Sequence, residues 1–78
     1  MVKNVKVYST PTCPYCIRLK QFLKESSISF QDLDVSKDQS VAEEMMRVSG
    51  QMGVPVLDIE GNIIVGFDKE KVKAALGI

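Results

Sequence analysis

The apolar positions in the first half of the chain change from an alternating to a helical spacing. Val5–Ser9 is β-branched and aromatic and is followed by Pro11, which predicts a strand that ends there. Pro14 begins a predicted helix that ends near Ser26, because proline is favoured at the first helical position. The apolar face of this helix consists of Cys16, Leu19, Phe22 and Leu23. A second strand is predicted from about Ile28 to Val35.

A second helix is predicted next, with two alternative starts. Ser36-x-x-Gln39 and Ser40-x-x-Glu43 both fit a capping box, in which the first and fourth side chains bond to free backbone N–H groups. Gly50 ends the helix, because glycine readily adopts the left-handed conformation that follows a helix. The apolar face is formed by Val41, Met45 and Val48.

The last part of the chain predicts a β-hairpin and a third helix. Val54–Ile59 and Asn62–Val65 are apolar segments that flank the turn sequence Glu60-Gly61. Asp68 is the predicted N-cap of the final helix, which ends before the glycine at position 77. A hydrophobic staple at this cap is formed by Phe67 and Val72.

The predicted order of elements is β-α-β-α-β-β-α, which indicates an α/β fold. A β-α-β crossover makes the first two strands parallel, and the hairpin adds two antiparallel strands. The result is a four-stranded mixed sheet flanked by three helices, which is the thioredoxin-like pattern. With 78 residues, the chain is long enough for one domain, residues 1–78.

Composition narrows the choice of partners and compartment. Ten basic and ten acidic residues give no net charge, so nothing favours a nucleic-acid partner. The longest apolar runs are far shorter than the roughly 18 residues of a membrane span, and the start of the chain carries no signal-like segment. Two cysteines this close cannot stabilise a small secreted fold, which favours the cytoplasm. We expect a monomer without a membrane or nucleic-acid partner.

The two cysteines, Cys13 and Cys16, lie at the predicted junction of the first strand and helix. Residues three apart share a helix face, so the pair predicts a reversible dithiol and disulfide. The helix N-terminus lowers the pKa of the first thiol, which makes Cys13 the expected nucleophile and the more buried Cys16 the resolving thiol. A Cys-x-x-Cys in a β-α-β pattern is a redox signature. The alternatives are two core cysteines or a metal site, for which this chain supplies too few sulfur and histidine ligands.

A second candidate feature is Pro55, at the start of a predicted strand, where it removes a hydrogen-bond donor from the sheet. There are two interpretations of Pro55. It is either a proline of an edge strand or turn, or part of a cis-proline loop beside the disulfide. In the second case the Val54 backbone would pair with an extended peptide or glutathione. Tyr15, between the cysteines, is either a surface spacer or a substrate contact.

Three motifs in this order, Cys13-Pro14-Tyr15-Cys16, Val54-Pro55 and Gly66-Phe67-Asp68, resemble those of the glutaredoxins. The likeness covers essentially the whole chain and is greatest to short bacterial glutaredoxin-like proteins of the YruB type. It implies catalysis by the two cysteines on protein disulfides and glutathione mixed disulfides, with glutathione as reductant and no bound cofactor or metal. It also implies a glutathione or peptide groove that consists of Tyr15, Gln51, Gly53, Val54, Pro55, Gly66, Phe67 and Asp68.

The chain departs from the glutaredoxin pattern at two positions. Lys69 stands where the family usually has a second acid, and Thr10 stands where many members have a lysine. Both departures weaken the expected contacts to glutathione. Gly66-Phe67 is similar to a motif of NrdH-type redoxins, so thioredoxin reductase is an alternative electron donor. An alternative of another class is a [2Fe–2S] binding module shared by two chains, against which Pro14 argues because it stiffens the loop and removes a backbone donor.

Overall fold

The computed structural model describes residues 4–78, and within them the chain forms one mixed sheet and three helices. The elements are β1 (Val5–Ser9), α1 (Pro14–Glu25), β2 (Gln31–Asp34), α2 (Gln39–Ser49), β3 (Val56–Ile59), β4 (Asn62–Val65) and α3 (Lys69–Leu76). The strand order is β2-β1-β3-β4, with β1 parallel to β2, and β3 antiparallel to both β1 and β4. The predicted thioredoxin-like fold is confirmed.

Alternate side chains of the central strands enter two apolar clusters, one on each face of the sheet. Val7 and Leu57 belong to the larger cluster, which also contains buried residues of α1 and α3. Tyr8 and Val56 point to the opposite face and pack with Met45 of α2. The period of two along each strand therefore places α1 and α3 on one face and α2 on the other.

Most of the predicted turns and caps are confirmed. Glu60 and Gly61 have positive φ values of 52° and 91°, as a tight hairpin requires at both central residues. Asp68 caps α3 by accepting a hydrogen bond from the Lys71 N–H at 3.2 Å. Gly50 ends α2 in the left-handed conformation, with φ of 72°.

The predicted start of β2 at Ile28 is wrong, because the residues after α1 are used to end the helix. Ser27 is left-handed, with φ of 59°, and the Ile28 N–H bonds back to the Leu23 carbonyl at 2.9 Å. Pairing with β1 begins only at Gln31, opposite Lys6.

Both predicted capping boxes of α2 are wrong, because Asp38 is the N-cap. Its carboxylate accepts hydrogen bonds from the Ser40 N–H at 2.9 Å and the Ser40 hydroxyl at 2.6 Å. Ser36 instead bonds to Asp34 in the preceding turn. An ionised aspartate is a strong acceptor for the free N–H groups of a helix start, so it displaces the serine hydroxyls from that role.

The topology brings three chain segments together where strands β1, β3 and β4 begin or end on the same side of the sheet. The antiparallel register pairs Tyr8 with Val56 and Val56 with Val65, so the end of β1, the start of β3 and the end of β4 are adjacent. β3 begins at Val56 and not at the predicted Val54, since the residue before it is Pro55, which has no N–H for the sheet. Among residues 4–78, no helix is long and apolar enough to cross a membrane.

Candidate active site

The first of the three segments carries Cys13, which is the N-cap of α1 and has extended backbone geometry, with φ of −88° and ψ of 114°. Its sulfur accepts a hydrogen bond from the Cys16 N–H at 3.3 Å, so it occupies the place of a capping oxygen. Pro14 follows at the first helical position, where its missing N–H leaves no bond unmade. The local sequence thus turns the Cys13 sulfur toward the free N–H groups of the helix.

The surroundings of Cys13 favour its thiolate. Desolvation opposes ionisation, but hydrogen bonds outweigh it and lower the pKa of the Cys13 thiol. The donors are the Cys16 thiol and the backbone N–H groups of Cys16 and Tyr15, and the charge of Lys20 acts in the same direction. Cys13 is partly exposed, so the sulfur that ionises more readily is also the accessible one.

Cys16 has the opposite character, although it lies only one turn further along the helix. Its side chain is wholly buried, and burial raises the pKa of the Cys16 thiol to about 11. The hydrogen bond it donates to Cys13 adds to this shift, while a backbone bond from Thr10 and the charge of Lys20 oppose it. Cys16 therefore remains a thiol at neutral pH while it stabilises the neighbouring thiolate.

The second segment places the Val54–Pro55 bond, which is cis, next to Cys13. The Cys13 thiol lies 3.9 Å from the Val54 carbonyl oxygen, and the Pro55 carbonyl accepts a hydrogen bond from the Gly66 N–H at 2.8 Å. This second bond ties the proline loop to the end of β4. Of the two interpretations of Pro55 from the sequence, the structure has the cis-proline loop beside the cysteines.

A groove of about 360 Å³ runs beside this loop. We name it the proline groove, and its walls are Tyr15, Val54, Pro55, Val65, Gly66, Phe67 and Asp68. Tyr15 is 59% exposed, so its ring forms an open wall and not part of the core. Six of the eight residues predicted for a glutathione or peptide groove therefore line one cavity.

The other two predicted groove residues, Gln51 and Gly53, are not part of its walls. The Gln51 side chain accepts a hydrogen bond from the Gly53 N–H at 2.6 Å and donates one to the Gly53 carbonyl at 2.9 Å. These two bonds fold the segment before Val54 on itself, so Gln51 shapes the loop. Val65 lines the groove but was not predicted to do so. It is an apolar residue at an outward position of a strand and is 52% exposed, and that pattern could have indicated it.

A cation also lies near the two cysteines, held by an ion pair that the sequence did not reveal. Lys20 forms an ion pair with Asp32 at 2.9 Å, and the same carboxylate oxygen accepts a hydrogen bond from the buried Ser9 hydroxyl at 3.0 Å. Lys20 follows Cys16 by four residues, which places it on the same face of α1. Asp32 and Ser9 therefore hold a cation near both sulfurs.

Ligands for a metal are few within residues 4–78. No three histidine, cysteine, aspartate or glutamate side chains in that range are grouped so that they could hold a metal ion. A zinc ion or a [2Fe–2S] cluster needs about four such ligands, so it would require donors from outside this chain.

The chain is similar to known proteins in both sequence and structure. The family model described as Glutaredoxin matches residues 5–64. A glutaredoxin-like 8.6 kDa protein in the rubredoxin operon of Clostridium pasteurianum is 52% identical over 68 residues, 87% of this chain and 91% of that protein. Glutaredoxin 3 of Escherichia coli K12 is 40% identical over 83% of this chain and 78% of that protein. The crystal structure of a mutant of the thioredoxin-like protein BC3987 superimposes with a TM-score of 0.92, at 31% identity, covering 96% of each chain. The chain therefore belongs to the glutaredoxin family of thiol–disulfide oxidoreductases.

Proposed function

We propose that the protein is a dithiol glutaredoxin that reduces protein disulfides and glutathione mixed disulfides. The observation that carries this proposal is the contrast between the two sulfurs. Cys13 is accessible, caps α1 and has a lowered pKa, whereas Cys16 is wholly buried and has a pKa raised to about 11. Two thiols so differently placed suit a nucleophile and a resolving thiol.

The reaction proceeds in two exchanges. The Cys13 thiolate attacks one sulfur of the substrate disulfide, forming a mixed disulfide and releasing the other sulfur as a thiolate that takes up a proton. Cys16 then loses its proton and attacks the Cys13 sulfur, which releases the reduced substrate thiol. The protein is oxidised to the Cys13–Cys16 disulfide and the substrate gains two electrons and two protons. Two equivalents of glutathione thiol would restore the dithiol and form glutathione disulfide.

The proline groove is the proposed binding site for the backbone next to the attacked sulfur. Val54 lies before β3, so its backbone is outside the sheet and beside Cys13. An extended peptide or glutathione could pair with it as an added strand does, because main-chain hydrogen bonds need no particular side chain. Phe67 and Asp68 also line this groove and contact the rest of the ligand in the proposal.

The roles of the cysteines are tested by single substitutions. Cys13→Ser should abolish reduction of every disulfide, because the remaining thiol, Cys16, is wholly buried and stays protonated at neutral pH. Cys16→Ser should lose the reduction of protein disulfides but keep part of the activity on glutathione mixed disulfides, since a second glutathione can resolve the intermediate. Substantial protein-disulfide turnover by Cys13→Ser would refute the proposal.

The electron donor is tested separately, because Lys69 and Thr10 depart from the glutathione-binding pattern. The oxidised protein is offered glutathione with glutathione reductase in one assay and thioredoxin reductase with NADPH in another. We expect reduction by glutathione. Reduction by thioredoxin reductase alone would instead establish the NrdH-like alternative, with the same chemistry at Cys13.

A further inference from the structure

A second groove of about 320 Å³ adjoins the proline groove and has no role in the function proposed above. We name it the cationic groove, and it is lined by Arg18, Gln21, Phe22, Glu25, Phe67 and Lys69. Phe67 is a wall of both grooves, so one ligand can occupy the two without leaving the surface. The rings of Phe22 and Phe67 form its apolar part, with centroids 6.1 Å apart.

Two cations line this groove, and each lies against an aromatic ring. The Arg18 guanidinium lies 5.7 Å from the centre of the Tyr15 ring, and the Lys69 ammonium lies 5.4 Å from the centre of the Phe22 ring. Neither cation is in an ion pair; within residues 4–78 those pairs are Lys6–Glu44 and Lys20–Asp32. Aromatic faces attract a cation but do not neutralise it. Both positive charges therefore remain available to a ligand.

We propose that the cationic groove binds the flanking segment of a protein disulfide substrate that carries an acidic residue beside an apolar one. This proposal rests on the dithiol chemistry proposed above and adds the class of protein substrate. An apolar side chain can pack on the surface that the two phenylalanine rings form together, and a carboxylate can bond to Arg18 and Lys69 with charge-assisted hydrogen bonds. The chain has no net charge, so this selectivity comes from the local surface and not from a general attraction.

The position of the acidic residue in the substrate follows from the helix geometry. Arg18 lies five residues after Cys13, which is about 7–8 Å along the axis of α1 at roughly 1.5 Å per residue. An extended peptide covers this distance in about two to three residues. Glu25, about 18 Å along the same axis, lines the far end of the groove and would repel a second acid roughly five residues away.

The experiment measures the first exchange in a single turnover, so that no reductase is needed. The reduced protein is mixed with peptides whose one cysteine is joined to thionitrobenzoate, and release of the coloured thionitrobenzoate anion gives the rate. Cys13 attacks the peptide sulfur, the anion leaves, and Cys16 then frees the peptide thiol. Three peptides carry a Glu-Leu pair about two to three residues from the cysteine, a Lys-Leu pair there, or the Glu-Leu pair roughly five residues away.

We expect the near Glu-Leu peptide to react faster than both others. Arg18→Gln and Lys69→Gln should each reduce this preference roughly two- to fivefold, the size expected for one exposed charge pair. Lys24→Gln and Lys73→Gln are the matched controls, since they remove one exposed positive charge from α1 or α3 outside the groove. Added salt should reduce the preference in the native protein.

The remaining outcomes distinguish failure of the groove proposal from failure of the proposed function. Equal rates with all three peptides, or an equal effect of the control variants, would refute the cationic groove while leaving the dithiol chemistry intact. No release of thionitrobenzoate from any peptide would refute the proposed function itself. Dimerisation that Arg18→Gln abolishes, without a peptide preference, would show that a second copy of this chain covers the groove instead.

Discussion

Selective alkylation of the reduced protein should modify Cys13 far faster than Cys16. Iodoacetamide reacts with thiolates, so each rate follows the ionised fraction of its thiol and the access to it. The pKa of Cys16 is raised to about 11, which leaves roughly one molecule in ten thousand ionised there at pH 7. The pKa of Cys13 is lowered from its ordinary value of 9.0, so at least about one molecule in a hundred is ionised.

These fractions predict a rate ratio of at least roughly a hundredfold before access is considered. Access acts in the same direction, because Cys16 has no exposed surface and Cys13 is partly exposed. The assay quenches the reaction at intervals, digests the protein and measures both cysteines by mass spectrometry across a pH series. The Cys13 rate should reach half of its maximum below pH 9.0, whereas the Cys16 rate should still be far from its maximum there.

The Cys13→Ser variant is the internal control for the cause of the Cys16 shift. It removes the hydrogen bond and the charge of Cys13, both of which raise the pKa of Cys16, but it leaves the burial unchanged. Cys16 should therefore alkylate faster in this variant than in the native protein, yet more slowly than Cys13 does natively. Comparable alkylation of both cysteines in the folded native protein at pH 7 would refute the assignment of roles.

Three further predictions concern stability and the charge near the sulfurs. Folding raises the pKa of the Cys16 thiol, so this thiol ionises first in the unfolded chain. Between pH 9.0 and about 11 in urea titrations, the reduced protein should therefore lose on the order of 2 kcal/mol more stability than the disulfide form. Tyr8, whose pKa is also raised by burial, should destabilise both forms above pH 10.0. Lys20→Gln should raise the pKa of Cys13, shifting its alkylation profile to higher pH; an unchanged profile would show that this cation does not act on the sulfur. Leu19→Ala should lower the free energy of unfolding by about 2–5 kcal/mol, because the Leu19 side chain is wholly buried. The control is Ile17→Ala on the same helix, which should lower it much less because Ile17 is 53% exposed. Equal losses in the two variants would contradict the packing described.

The fold was predictable from the sequence where the signals are local. The alternation in β1 and the helical spacing after Pro14 depend on residues close together in the chain, and the left-handed glycines end helices without help from elsewhere. The start of β2 was not predictable, because Ile28 and Phe30 are apolar in the pattern of a strand but pack against the core from the irregular segment before β2. Pairing begins at Gln31 because Ser27 and Ile28 end α1 instead of joining the sheet.

In the candidate site, too, the local features were predictable from the sequence and the non-local ones were not. The spacing of Cys13 and Cys16 and the place of Pro55 are visible in the sequence, because each is a short motif with a physical reason. The Lys20–Asp32 ion pair is not visible, since it depends on the parallel register that places Asp32 opposite Val7. Non-local charges of this kind alter the pKa of a thiol without leaving a motif.

We expect Lys69 to affect the binding of both the electron donor and the protein substrate, in opposite directions. In the proposed glutathione site, Lys69 would repel the ammonium group of glutathione where a carboxylate would attract it, whereas the proposed acidic protein segment would gain from the same lysine. Lys69→Asp should therefore lower the KM for glutathione and raise it for the near Glu-Leu peptide, each by less than about tenfold, with an unchanged alkylation rate at Cys13. Lys73→Asp, on the same helix but outside the cationic groove, should change neither KM by a comparable amount. A fall or a rise in both KM values together would show that Lys69 does not discriminate between the two ligands.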